Sequence, residues 1–202
     1  QSVPIADEIR KLIEKKSPEE AMKKFAEARK IGEDPDAVKG ALAELLFDVG
    51  RKNLDAKGKF EKGIEYIREA AKLDPSHEEY RDQLSDALYA QVRSGSVGKG
   101  NKAIRVLTEV IGMAGDLYRA KSGEVRFLHL KAKAYHWRGI LGATKFKWKD
   151  SHSQPRSDLM TAAGLYREVL KQGASGEIAD EAKNALPNID ENLRILSGGK
   201  RR

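Results

Sequence analysis

Four basic or ionisable residues follow one another at three- and four-residue steps in the second half of the chain: Arg126, His129, Lys133 and His136. On a helix, this spacing places all four side chains on one face. Guanidinium and ammonium groups, and imidazole when protonated, bind carboxylates and phosphates. The pattern predicts a basic stripe that binds an anionic segment of a partner, and these four residues are the candidate partner-binding site. A polar helix face that contacts only solvent is the alternative interpretation.

The two histidines of this stripe are poorly spaced for a metal ion. His129 and His136 are seven residues apart, which separates them by about 10.5 Å along a helix axis. Metal sites on helices use gaps of three or four residues, and the sequence has no Asp, Glu or Cys between these histidines. We therefore expect no metal site and no cofactor.

Two other segments have the composition of a catalytic or phosphate-binding site without its spacing. The glycine-rich segment GSVGKGN at 95–101 is similar to a phosphate-binding loop. Such a loop would need Gly at position 93 and Ser or Thr at position 100, but these positions have Arg93 and Gly100. His152 lies next to Asp150, Ser151 and Ser153, but neighbours in sequence rarely reach the geometry of a catalytic triad. The sequence therefore predicts a protein that is not an enzyme.

The positive charge of the chain is concentrated in one stretch. The net charge is +7, and residues 101–150 alone contain 11 Lys and Arg against 4 Asp and Glu. Such an asymmetry favours anionic partners, although a solvated lysine-rich surface remains the alternative. Within this stretch, the segment KFKWKD at 145–150 alternates basic and aromatic residues, a pattern that could stack on nucleic-acid bases and pair with phosphates.

Composition gives little information on compartment. The chain has 202 residues and no Cys, so it has no disulfides from which an oxidising compartment could be inferred. No apolar run approaches the roughly 18 residues of a membrane-spanning helix. The start at Gln1 leaves two expectations open: a cytoplasmic protein or, if a signal peptide was removed, a periplasmic or secreted one. Partner identity and oligomeric state are likewise undetermined by the sequence.

Apolar residues recur at helical spacing through almost the whole chain, and no segment alternates long enough to predict a strand. Ser17 followed by Pro18 is a helix start signal, in which Ser caps and Pro takes the first helical position. Pro187 predicts a kink or break near Ala185. Turn signals divide the chain into nine predicted helices at 5–16, 18–31, 36–50, 59–73, 77–93, 99–114, 124–146, 157–172 and 177–196.

A small, large, small pattern recurs on every second helix. The clearest copy has Gly63, Ile67, Ala70 and a closing Pro75. A small residue allows two helices to approach closely, and a large one fills the groove one turn later. Looser copies occur at Ala21, Phe25 and Ala28, at Ala103, Leu107 and Val110, and at Ala162, Tyr166 and Val169.

With this pattern the chain resembles the tetratricopeptide-repeat (TPR) family over about residues 17–172, although the copies are 42, 40 and 59 residues apart and the family repeat is 34 residues. The resemblance implies an all-α fold, a right-handed α-solenoid of antiparallel helix hairpins with about four pairs plus a C-terminal capping helix at 177–196. Residues 1–202 would form a single TPR-like domain.

The resemblance also implies a function, because in this family the face of the first helix of a pair often lines a concave groove that accepts a peptide. We therefore expect a non-enzymatic protein–protein interaction scaffold that binds an acidic or extended segment of a partner near Arg126, His129, Lys133 and His136. The alternative is a nucleic-acid-binding helical repeat protein that uses the basic region 126–149.

Overall fold

The computed structural model describes residues 4–98, 100–121, 123–145 and 153–198. Within these ranges the chain forms nine α-helices and no strand, as the sequence predicts. The helices are α1 (Ile5–Glu14), α2 (Pro18–Lys30), α3 (Asp36–Leu54), α4 (Phe60–Leu73), α5 (Glu78–Arg93), α6 (Asn101–Ala120), α7 (Val125–Lys145), α8 (Ser153–Lys171) and α9 (Gly176–Leu196).

The chain divides into two compact units, Gln1–Leu84 and Ser85–Arg202. In the first unit, α3 and α4 form a hairpin whose closest approach is at Gly50 and Gly63. A Cβ atom built on Gly63 would lie 2.8 Å from the Gly50 carbonyl oxygen, and one on Gly50 would lie 2.6 Å from Ile67 Cγ1. Glycine at both positions therefore sets the distance between the two helices. The single domain expected for residues 1–202 stays a prediction.

The second unit has its core between α7, α8 and α9. Leu128 and Ala132 of α7 pack with Leu159 of α8 and with Ala182 and Ile189 of α9, and all five are buried. Helix α9 therefore closes one side of the core of this unit.

All twelve residues of the small, large, small pattern are buried on α2, α4, α6 and α8. Ala21, Ile67, Leu107 and Ala162, for example, are fully buried. The pattern therefore marks the packed face of every second helix, and the described residues form an all-α structure. The right-handed course of the solenoid stays a prediction.

Three helix boundaries differ from the predicted ones by four residues or more. Helix α3 continues past Gly50 to Leu54, and α6 continues past Ala114 to Ala120. Gly50 and Gly115 are buried helical residues, so they serve packing and not termination. Helix α8 begins at Ser153 instead of 157 and has Pro155 in its first turn, where proline is tolerated because the first N–H groups have no helical partner.

Two local predictions are corrected by the structure. Pro187 lies inside α9, which runs without a break from Gly176 to Leu196. Its missing hydrogen bond is a single loss on an exposed side of the helix, and packing of Ala182 and Ile189 on either side holds α9 together. Ser17 occupies the N-cap position of α2, but its side chain makes no capping hydrogen bond.

No helix in the described part of the chain is both long enough and apolar enough to cross a membrane.

Candidate functional site

Arg126 lies at the start of α7 and is paired with carboxylates. Its Nε is 3.4 Å from Glu124 Oε2, and its Nη1 is 3.7 Å from Asp86 Oδ2. The guanidinium group also lies 4.0 Å from the centre of the Phe127 ring. These neighbours compensate the charge of Arg126, so this residue does not present the free cation that the sequence pattern suggests.

His129 is 4% exposed, which differs from the exposed stripe expected from the sequence. Helix α9 packs over this part of α7 and brings Glu181 Oε2 to 3.2 Å from His129 Nε2. Burial, together with the nearby Lys133 ammonium, lowers the pKa of His129 to about 4, and Glu181 opposes that shift only in part. At neutral pH the ring is therefore uncharged.

Lys133 lies between an aromatic ring and a carboxylate. Its Nζ is 5.1 Å from the centre of the Tyr89 ring and 3.4 Å from Glu181 Oε2. The side chain is partly buried, at 27% exposed. Glu181 therefore compensates the positive charge of Lys133.

His136 is partly buried beside Tyr166, with the two ring centres 6.1 Å apart in a T-shaped arrangement. Burial, and then the positive charge of Arg93, lower the pKa of His136 to about 4. Neither histidine of the predicted stripe therefore contributes positive charge at neutral pH.

A cleft of about 340 Å³ opens between α5, α7, α8 and α9. We call it the α7 cleft, because α7 contributes Lys133, His136, Trp137 and Ile140 to its lining. Two of the four predicted site residues, Lys133 and His136, line it, whereas Arg126 and His129 do not. The other lining residues are Tyr89, Arg93, Tyr166, Glu181, Asn184, Ala185 and Asn188.

Arg93 at the end of α5 is the most exposed cation of the cleft. Its guanidinium carbon lies 4.3 Å from the centre of the Trp137 ring. In the described part of the chain no carboxylate pairs with it. A guanidinium group that stacks on an indole keeps its in-plane N–H groups available for a bidentate contact with a carboxylate. The N–H groups of Arg93 are therefore available to a ligand, whereas the charges of Arg126 and Lys133 are compensated by carboxylates of the protein.

The two tyrosines of the cleft are neutral at physiological pH. Burial is the main cause that raises the pKa of Tyr89 to about 12, and it also raises the pKa of Tyr166. With the histidines uncharged, the charged side chains of the cleft are Arg93, Lys133 and Glu181. The cleft therefore has one more positive than negative charge.

Helix α9 contributes a polar wall that the sequence reasoning missed. Glu181, Asn184 and Asn188 face the cleft at steps of three and four residues, which is the spacing of one helix face. This spacing was visible in the sequence, but α9 was expected only to cap the fold. Trp137 of α7 is only partly buried and also lines the cleft.

A larger cavity of about 810 Å³ lies between α1 and α2 in the first unit. Its wall consists of Lys and Glu side chains with Leu12 and Ala26 and has no aromatic residue. Lys24 in this lining is paired with Glu8 at 3.0 Å and with Glu27 at 3.6 Å. The lining has four Lys against three Glu, and it lacks an aromatic side chain that could hold a cation as Trp137 holds Arg93. The α7 cleft is therefore the better candidate for a site.

Among the described residues, no group of three or more His, Asp or Glu side chains could hold a metal ion. The residues 146–150 of the segment KFKWKD, with its aromatic residues Phe146 and Trp148, lie outside the described residues, as does His152.

No protein-family model matches the chain, and no curated protein matches it in sequence. Among solved structures, it is similar to a MamA RS-1 double mutant, with 13% identity and a TM-score of 0.30 over 95% of this chain and 98% of that one. It is also similar to a Podosopora anserina kinesin light chain with TPR-like repeats, with 15% identity and a TM-score of 0.29 over 96% and 94%. A third similar structure is a de novo designed helical repeat protein, with 18% identity and a TM-score of 0.23 over 96% and 90%.

Proposed function

We propose that this chain is a non-enzymatic protein-interaction scaffold that binds an extended, acidic segment of a partner in the α7 cleft. The observation that carries the proposal is Arg93, which lies on Trp137 at 4.3 Å with its hydrogen-bonding edge free. A carboxylate of the partner would satisfy this edge with two parallel hydrogen bonds. The stacked position restrains the guanidinium group beforehand, which lowers the entropy lost on binding.

The size and shape of the cleft favour an extended segment over a folded surface. A volume of about 340 Å³ accommodates a few side chains. Asn184 and Asn188 are one helical turn apart, or about 6 Å along the axis. In an extended chain, residues on the same side repeat at about 6.7 Å. The two amides of α9 are therefore spaced to contact alternate residues of one extended segment.

The excess of positive charge in the cleft supports an acidic partner, but this excess is small. It comes from Arg93, because Glu181 compensates Lys133 and burial keeps His129 and His136 neutral. We therefore keep the predicted preference for an acidic partner, with Arg93 as the principal binding residue. Arg126 has no part in this version of the site.

The proposal can be tested with the full chain and an array of twelve-residue peptides that vary in charge. We expect acidic peptides to bind, and Arg93→Ala to weaken that binding by about tenfold or more, since hydrogen bonds between charged groups contribute about 1.5–3 kcal/mol. Arg93→Lys should give a smaller loss, because it keeps the charge without the bidentate geometry. Fluorescence anisotropy of one labelled peptide measures each affinity.

Arg167→Ala is the matched control, because Arg167 is exposed on α8 and does not line the cleft. A result in which no peptide binds, or in which Arg93→Ala and Arg167→Ala bind equally well, contradicts the proposal. A labelled single-stranded oligonucleotide serves as the second probe. Tight, steeply salt-dependent binding of this oligonucleotide, with no binding of peptides, would favour the nucleic-acid alternative instead.

A further inference from the structure

Glu181 places a carboxylate of the protein itself inside the α7 cleft. Its Oε2 is 3.4 Å from Lys133 Nζ and 3.2 Å from His129 Nε2. His129 is neutral at physiological pH because burial lowers its pKa to about 4. The negative charge of Glu181 is therefore balanced by Lys133, and the two form the charge pair of the cleft.

This pair changes what the cleft offers to a ligand. Lys133 is held over the Tyr89 ring at 5.1 Å, so it is a second cation beside Arg93. A partner carboxylate that approached Lys133 would also come close to the carboxylate of Glu181, which lies 3.4 Å from Lys133 Nζ. Like charges at such a distance repel each other, and a ligand would gain the Lys133 contact only by displacing Glu181.

We propose that Glu181 determines the charge specificity of the α7 cleft: it occupies Lys133, so that only one carboxylate of a bound segment, the one at Arg93, gains a contact with a cation. This inference rests on the proposed function, since it concerns the partner segment of the same site. The Glu181 side chain is 44% exposed, so Glu181→Gln removes the charge without opening the core. In that variant Lys133 becomes available to a second carboxylate.

The experiment uses two peptides and three forms of the full chain. The first peptide is the tightest array peptide with one carboxylate and blocked ends. The second carries one more glutamate two residues away on the same side. For the wild type we expect nearly equal dissociation constants. For Glu181→Gln we expect the two-carboxylate peptide to bind about fivefold tighter than the one-carboxylate peptide, the range of a partly exposed charge pair.

Asp180→Asn is the matched control, since it removes one negative charge from the neighbouring, exposed position of α9, outside the cleft. It should leave the ratio of the two dissociation constants as in the wild type. Equal ratios for Glu181→Gln and Asp180→Asn, or a wild type that already prefers the two-carboxylate peptide severalfold, overturn the specificity role and leave the proposed function standing. Absence of binding of both peptides to all three forms overturns both proposals.

Discussion

The Asp158 carboxylate accepts hydrogen bonds from Nε and Nη2 of Arg138, each over 2.8 Å. The two side chains are 3% and 15% exposed, so the pair is buried between α8 and α7. Gln154 donates a further hydrogen bond to Asp158 at 2.9 Å, and Arg138 Nη1 donates one to Thr108 of α6 at 3.0 Å. One network thus connects three helices of the second unit.

We expect Asp158→Asn to lower the free energy of unfolding by about 3–5 kcal/mol, because it leaves the guanidinium group buried without a counter-charge. The double variant Arg138→Met with Asp158→Leu should recover much of that loss, because it removes both charges and keeps the volume. Urea unfolding followed by circular dichroism measures both values.

Glu79→Gln is the control, because it breaks the exposed pair with Arg51 at 3.6 Å. It should lower the free energy of unfolding by about 1 kcal/mol or less. A similar loss in Asp158→Asn and Glu79→Gln would contradict the structural role of the buried pair.

Gly50 leads to a second prediction. Its added Cβ would lie 2.6 Å from Ile67 Cγ1 and 3.0 Å from the Gly63 carbonyl oxygen. We expect Gly50→Ala to destabilise the chain by about 1–3 kcal/mol, because α3 and α4 must move apart. Gly40→Ala is the control on the same helix, since nothing lies within 4 Å of its added Cβ. That change should instead stabilise by about 0.5–1 kcal/mol, the helix preference of Ala over Gly. Urea unfolding measures both changes in unfolding free energy. Changes of the same sign in the two variants would argue against the close contact between α3 and α4.

The same glycine shows which parts of the fold the sequence can predict. The nine helices were predictable because apolar residues recur with helical periodicity and the connecting turns contain Gly, Pro and Asp. The helix ends at Gly50 and Ala114 were not, because a glycine that terminates a helix and one that packs against a neighbour have the same local sequence. Which of the two applies depends on a partner helix, and at Gly50 that partner is α4.

The α7 cleft was predictable only in part for a related reason. Periodicity correctly placed Lys133 and His136 on one face of α7. It could not show that Glu181, 48 residues further along the chain, compensates Lys133, or that Arg93 lies on Trp137. Periodicity identifies the faces of a helix, whereas charge compensation depends on which helices are neighbours in space.

Pro187 provides a third prediction. It lies inside α9 and is exposed, where a proline removes one backbone hydrogen bond and crowds the preceding turn. We expect Pro187→Ala to stabilise the chain by about 1–3 kcal/mol, since the helix runs through this position without a break. Pro155→Ala is the matched substitution in α8, where proline is buried in the first turn beside Gly142. That change should be destabilising, because it removes packed ring atoms from a position that tolerates proline. Thermal unfolding in which Pro187→Ala melts at or below the wild-type temperature would contradict the prediction.

The buried histidines predict a specific dependence of stability on pH. The pKa of His129 is lowered from 6.5 to about 4 in the folded chain, and that of His136 is lowered similarly. Between these values the unfolded chain binds more protons than the folded one, so stability falls as the pH decreases from about 6.5 to about 4. Each histidine should contribute on the order of 2–3 kcal/mol to this loss.

Urea unfolding at pH values of about 7 and about 4.8 tests this dependence, because most carboxylates remain ionised over that interval. We expect His129→Gln to reduce the difference in unfolding free energy between the two pH values, since glutamine does not titrate. His77→Gln is the control, because His77 is exposed and lies outside the α7 cleft. The burial of His129 against Glu181 and Tyr166 is contradicted if both variants keep the full pH dependence of the wild type. A reduced dependence in His129→Gln alone would show that His129 is buried beneath α9 in solution and adds no positive charge to this face of α7 at neutral pH.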